Sequence, residues 1–268
     1  MAIWYEKNIS DIANAHLRDQ DLPYTYTGAL TLEQNAENWQ KFFMEDEAPA
    51  LPTAIAAMDF AFSQKYGGYD YARDLRSVNP DWIKPLNMAF SSLDFPLDKP
   101  QKIVAMGANS GQELDDIFGL QQANYKIDIV DISSVAIAKG KAENPSFNFR
   151  QGRMEKAPFL TKNYDLYLNL RTIQSSGADK VATVRESYRL LKENGLCVMS
   201  VANGYLMPDK KGVLQPVRGL LDNKKLDEDL PYNIASDVET SMRKTGFALE
   251  MHISGPTEIF VVGRKPKK

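Results

Sequence analysis

The sequence predicts an α/β fold, a doubly wound, mostly parallel sheet preceded by a helical cap. Three observations carry this. From Gln101 onward, short apolar runs alternate with stretches of helical periodicity, which is the pattern of strand–helix–strand units. The first such run, Lys102 to Met106, enters a turn bracketed by Gly107 and Gly111. Residues 1–95 lack the alternation and instead carry aromatic residues at helical spacing.

In that N-terminal part, Thr31 and Gln34 form a capping pair for a helix carrying Trp39, Phe42 and Phe43. Pro52 opens a second helix with Ile55, Met58 and Phe62 on one face, closed near Gly67-Gly68. A third runs from Pro80 to about Ser91, and Pro85 inside it predicts a kink or break. Phe95 to Pro100 is the link.

Beyond the link, strands are expected at 102–106, 127–131, 147–150, 164–169 and 196–202, then at 247–252 and 258–263. That makes seven. Ser133 caps a helix that Asn144-Pro145 stops. Another helix starts near Asp179 and ends at Asn194-Gly195. Residues 203–235 read as a polar connection, and Ser236 with Glu239 as the capping box of a short helix stopped by Gly246.

The organising stretch is 102–114. Glycine permits positive φ and close approach of a ligand to the backbone. Asn109 or Ser110 is expected to cap the helix carrying Leu114, Ile117 and Phe118. Strand, turn and helix N-terminus together aim free N–H groups over the sheet edge. Asp131 ends the next strand 20 positions after Gly111, where an acid can accept hydrogen bonds from ribose hydroxyls. A dinucleotide fingerprint needs glycine where Asn109 and Gln112 stand, which argues against a pyrophosphate on this backbone. A P-loop is absent. A nucleoside without phosphates fits best.

Composition narrows the classes. Net charge is −3 and the pI about 5.6, so there is no broad basic footprint and nucleic acid is not an expected partner. One cysteine, Cys197, excludes an intramolecular disulfide framework, and two histidines, His16 and His252, leave no metal site in view. No signal pattern or membrane-length apolar run is present, so a cytoplasmic protein without membrane contact is expected. Nothing in the sequence specifies the oligomeric state.

Five stretches occur in the order used by class I S-adenosylmethionine-dependent methyltransferases, and the chain resembles that family over about residues 98–264. Ile103–Gly111 is similar to its glycine motif and Asp128–Ile132 to its acidic strand end. Gln151–Phe159 is similar to its adenine-flanking loop and Tyr164–Asn169 to its fourth strand. Glu186–Gly195 resembles the helix running into its fifth strand. The resemblance departs at Ala105, Asn109 and Arg153, where the family usually has an acid, a glycine and an acid.

The resemblance implies a Rossmann-like sheet of seven strands with an antiparallel last strand, and S-adenosylmethionine as cofactor. It implies a helical cap or substrate region at 1–97 and a cofactor domain at 98–268, with 203–235 as a substrate-side insertion. Cofactor contacts are implied at Gly107, Asn109, Ser110, Gly111, Asp131, Ile132, Met154, Glu155, Asn169 and Leu170. The sequence identifies no catalytic residue beyond two candidates at the reacting mouth, Arg171, in a polar run past the fourth strand, and Tyr205, past the fifth, with Asn203 beside Tyr205. The expected activity is methyl transfer by in-line displacement to a small or medium organic acceptor. The alternatives are an RNA or protein methyltransferase and a non-catalytic S-adenosylmethionine-binding protein.

Overall fold

The computed structural model describes residues 82–119, 124–174, 178–202, 205–208, 214–217, 230–254 and 258–267. The helices expected after Thr31 and Pro52 lie outside the described residues. In chain order the elements are α1 (Lys84–Ser92), β1 (Lys102–Met106), α2 (Glu113–Phe118), β2 (Lys126–Asp131), α3 (Ser134–Glu143), β3 (Asn148–Gln151) and β4 (Tyr164–Leu170). They continue with α4 (Lys180–Leu190), β5 (Leu191–Ala202), β6 (Tyr205–Pro208), β7 (Leu214–Val217), α5 (Leu230–Thr245), β8 (Ala248–Ser254) and β9 (Glu258–Arg264).

Seven strands form one sheet in the order β3-β2-β1-β4-β5-β9-β8. β1 to β5 pair in parallel. β9 is antiparallel to both β5 and β8, between which it lies. The expected architecture of the sheet is therefore the observed one. Ile103, Ile127, Ile129 and Leu166 bury one face beneath α1 and α2, with Leu86, Phe90 and Leu114. Val104, Val130, Met199 and Val261 bury the other, with Val184 of α4 and Val238 and Met242 of α5. Both faces of β1, β4 and β5 are covered, which is why these strands read as continuous apolar runs.

Four local expectations change. Pro85 does not break a helix; it occupies the first turn of α1, where no intrahelical N–H is required. Trp82, just before α1, donates to Asp116 of α2 at 3.0 Å and ties the start of α1 to α2. α4 ends at Leu190, four residues before Asn194. Asn194 does take positive φ, 64°, but inside an irregular start to β5, where pairing jumps from Leu191 to Leu196. α5 begins at Leu230, so Ser236 and Glu239 lie within it rather than at its start. The stretch 203–235 is not only a connection, since it holds the β6–β7 hairpin and the first turns of α5. Ser133 and Asp179 do cap their helices, accepting from the amides of Ala136 at 3.0 Å and Ala182 at 2.8 Å.

Candidate active site

Strand order reverses at β1, which has β2 on one side and β4 on the other. In an open parallel sheet this leaves a crevice at the carboxyl ends of the strands. The segments emptying there are 107–112 after β1, 131–133 after β2, 152–156 after β3 and 170–174 after β4.

The turn after β1 has an alternating backbone. Gly107, Asn109 and Gly111 have φ of 66°, 54° and 84°. Left-handed conformation costs most residues about 1–2 kcal/mol, but asparagine and glycine adopt it routinely. Asn109 therefore supplies the backbone shape for which the family pattern uses a glycine. Gly107 is also sterically required, because a Cβ there would lie 2.2 Å from Thr172 Oγ1. At Gly111 a Cβ would meet Ile129 Cδ1 at 2.9 Å. The expected capping by Asn109 or Ser110 is not observed. The N-cap of α2 is Gln112, with no side-chain cap bond. Asn109 is engaged in the turn, and the Ser110 carbonyl accepts from Asn144 Nδ2 at 3.0 Å.

Asp131 is buried at the tip of β2, and its carboxylate knits the crevice. One oxygen accepts from the Asn109 amide at 3.0 Å, the other from the Ser133 amide at 2.9 Å. The Gly107 amide donates to the Val130 carbonyl at 2.7 Å, and the Gly152 amide to the Asp131 carbonyl at 3.0 Å. The turns after β1, β2 and β3 are thus one hydrogen-bonded unit with Asp131 at its centre. Ile132 sits half-buried between Asp131 and the Ser133 cap.

The end of β4 is equally built. Asn169 is fully buried; its Oδ1 accepts from the Ile173 amide at 2.8 Å and its Nδ2 approaches Met154 Sδ at 3.2 Å. It closes the turn 169–173 and packs on the loop after β3. Leu170 is buried beside it. Arg171 has φ of 57°, and its amide is held by Ser200 through both carbonyl and hydroxyl. Its guanidinium makes a buried ion pair with Glu258, at the start of β9 opposite Ala202. This pins Thr172 over Gly107, where its hydroxyl reaches the Gly107 carbonyl at 3.3 Å.

Met154 and Glu155 lie on a tight turn closed by the Arg153–Lys156 bridge. Arg153 forks onto Glu155 through two 3.1 Å contacts, and Glu155 also accepts from the Asp179 amide. Tyr205 opens β6, and Asn203 lies outside the described residues. His252 pairs with Glu239, joining β8 to α5 away from the crevice. Cys197 is fully buried in β5, and burial pushes its thiol up to about 12. Among the described residues no group of histidine, cysteine and carboxylate side chains could hold a metal ion, and no helix is long and apolar enough to cross a membrane.

The structure therefore brings Gly107, Asn109, Ser110, Gly111, Asp131 and Ile132 into one connected turn system, with Met154, Glu155, Asn169 and Leu170 around it. Thr172 lies in the polar run past the fourth strand that the sequence singled out, but its contact with Gly107 is new, and Glu258 is an addition that sequence reasoning missed. An acid opening the apolar run Ile259–Val262 is visible in the sequence; its partner, 87 positions away, is not.

A family model described as a methyltransferase domain matches residues 104–199, which span β1 through the regular part of β5. Residues 104–199 thus carry a methyltransferase domain, and this match supports the resemblance to the class I S-adenosylmethionine-dependent methyltransferases. The chain is accordingly an enzyme with S-adenosylmethionine as cofactor. No curated protein matches this methyltransferase by sequence. Solved structures share its fold. A candidate sarcosine dimethylglycine methyltransferase from Galdieria sulphuraria superposes with a TM-score of 0.50 at 14% identity, over 74% of this chain and 91% of that one. A protein from Pyrococcus horikoshii OT3 does so with a TM-score of 0.50 at 17% identity, over 77% and 100%.

Proposed function

We propose that this methyltransferase acts on a small or medium organic acceptor at the carboxyl edge of the sheet, in the cytoplasm. The observation that carries the site is the left-handed alternation of Gly107, Asn109 and Gly111 tied to the buried Asp131 carboxylate. The residues present fit the cofactor. A turn without side chains at Gly107 and Gly111 admits close approach of a nucleoside, and an acid ends the neighbouring strand at the ribose position.

In this reading the backbone of 107–111 and Asp131 hold the ribose and methionine parts. Ile132, Met154 and Glu155 flank the adenine, while Asn169 and Leu170 form the floor. When bound, the cofactor supplies an activated methyl group on a sulfonium. The protein's part is to align the acceptor atom and exclude water. Arg171 remains protonated, so it is not a base; through Glu258 it positions the 171–174 turn beside the reacting mouth. Tyr205, the first residue of β6, is the candidate for the acceptor side. A neutral amine needs no base, whereas a hydroxyl needs its proton taken in the transition state. The net acidic chain suits a small acceptor better than a polyanion.

The test is calorimetric titration of S-adenosylmethionine and S-adenosylhomocysteine, with NAD as control, into wild type and Asp131→Asn. Micromolar binding, weakened roughly tenfold or more in the variant, is expected, with no response to NAD. A folded wild type that binds neither compound would overturn the site assignment. Transfer of labelled methyl to RNA or protein, and to no small acceptor, would overturn the acceptor class.

A further inference from the structure

We propose that the opposite, amino edge of the sheet carries a second ligand site, for a phosphate-bearing small molecule with an aromatic or apolar body. The site follows from an omission in the fold. The crossover from β3 to β4, residues 152–163, contains no helix. α4 and α5 cover β4, β5 and β9 on that side, but the β2–β3 end is left as an open cavity of about 820 Å³. The volume lies in the range of small-molecule sites, roughly 300–1,000 Å³.

Its charge is opposite to that of the chain. Lys102 and Lys126, the first residues of β1 and β2, and Lys156 of the crossover all line it. Among the described residues none of the three ammonium groups has a carboxylate within ion-pair range. Lys102 Nζ instead lies 5.0 Å from the centre of the buried Tyr164 ring. The remaining cation, Arg189, is already forked onto Glu186 at 2.7 and 2.6 Å, and holds the crossover through the carbonyls of Phe159 and Ala157. The one acid in the wall is Asp128. Its oxygens accept from Tyr164 Oη at 2.6 Å and Asn148 Nδ2 at 2.7 Å.

Three cations against one hydrogen-bonded acid in a concave site concentrate anions, and lysine binds phosphate as a point charge. A bare phosphate would fill a small part of the cavity. Phe159 and the exposed Leu160, 77% accessible, supply an apolar wall for the rest of the ligand. Lys102 and Lys126 lie about one strand length, roughly 16 Å, from the glycine turn, and Lys156 lies where the crossover leaves the turn of Met154 and Glu155; the charge and shape of the cavity need nothing from the cofactor reading.

The test uses phenyl phosphate and inorganic phosphate, titrated into the full chain at constant ionic strength by calorimetry. The comparison is the double variant Lys126→Ala/Lys156→Ala, whose side chains are exposed and whose unchanged thermal midpoint certifies folding. Saturable binding of phenyl phosphate is expected, at least tenfold tighter than inorganic phosphate and at least tenfold weaker in the variant. Absence of saturable binding, or equal affinity in the variant, would overturn the site. Equal affinity for the two phosphates would overturn the apolar body. Lysine-dependent binding of a 20-mer RNA or of phosphoinositide vesicles that phenyl phosphate does not displace would overturn the small-molecule class.

Discussion

Replacing Gly107 by alanine tests the steric logic of the turn after β1. The added Cβ would stand 2.2 Å from Thr172 Oγ1, 2.4 Å from its Cγ2 and 2.7 Å from its Cβ, at a φ of 66°. Two costs add. Left-handed φ on alanine costs about 1–2 kcal/mol, and overpacking a held side chain about 1–3 kcal/mol. Thr172 cannot swing away freely, because Arg171 before it is anchored to Ser200 and Glu258. Destabilisation of about 2–5 kcal/mol is therefore expected, read as a lower urea midpoint at unchanged slope. Thr172→Gly deletes all three close atoms, so in the double variant only the backbone cost of about 1–2 kcal/mol and the cost of Thr172→Gly itself should remain. The cycle should return a coupling of about 1–3 kcal/mol. A single-variant loss below about 0.5 kcal/mol, the scale of ordinary surface changes, or a coupling of zero, would refute the reasoning.

Asn109 has the same backbone conformation without the crowding, so Asn109→Gly should stay within about 0.5 kcal/mol of wild type, while Asn109→Val should lose about 1–2 kcal/mol in the same urea assay. Glu258→Gln removes the carboxylate from the buried ion pair with Arg171 and should cost about 3–5 kcal/mol, whereas Arg171→Met/Glu258→Leu should recover most of it, since a buried pair replaced by apolar groups is close to neutral. Cys197 should resist thiol reagents until the protein unfolds, because it is buried with its pKa raised from 9.0 to about 12. A raised folded pKa means the stabilising difference is complete below pH 9 and is lost as pH rises toward about 12. Cys197→Ala should therefore show a shallower fall of thermal midpoint above pH 9 than wild type.

The alternation of apolar runs and helical stretches after Gln101 was enough to place every strand of the main sheet, because burial on both faces writes the same apolar run wherever a strand is central. The shape of the turn after β1 was legible for a similar reason. Gly107, Gly111 and Asp131 are close in the chain, and their chemistry is set by local backbone shape. Local signals misled where two readings share one residue type. Pro85 marks a helix start as well as a break, and a capping pair such as Ser236 and Glu239 also fits inside a longer helix once α5 packs on β9. Asn109 looked like a departure from a glycine pattern, and only its φ shows that it preserves the turn.

What no local reading contained is the set of long-range contacts. Thr172 over Gly107, 65 positions apart, Arg171 against Glu258, 87 apart, and the hydrogen bond from Tyr164 to Asp128, 36 apart, depend on which strands become neighbours. Strand order is a global outcome of packing two apolar faces. The residues it brings together at the two edges of the sheet are adjacent in space without any periodic or spacing signal in the chain. The turns at the carboxyl edge were thus written in the sequence, while the clamp that shapes them and the cationic groove at the opposite edge arose only from the folded sheet.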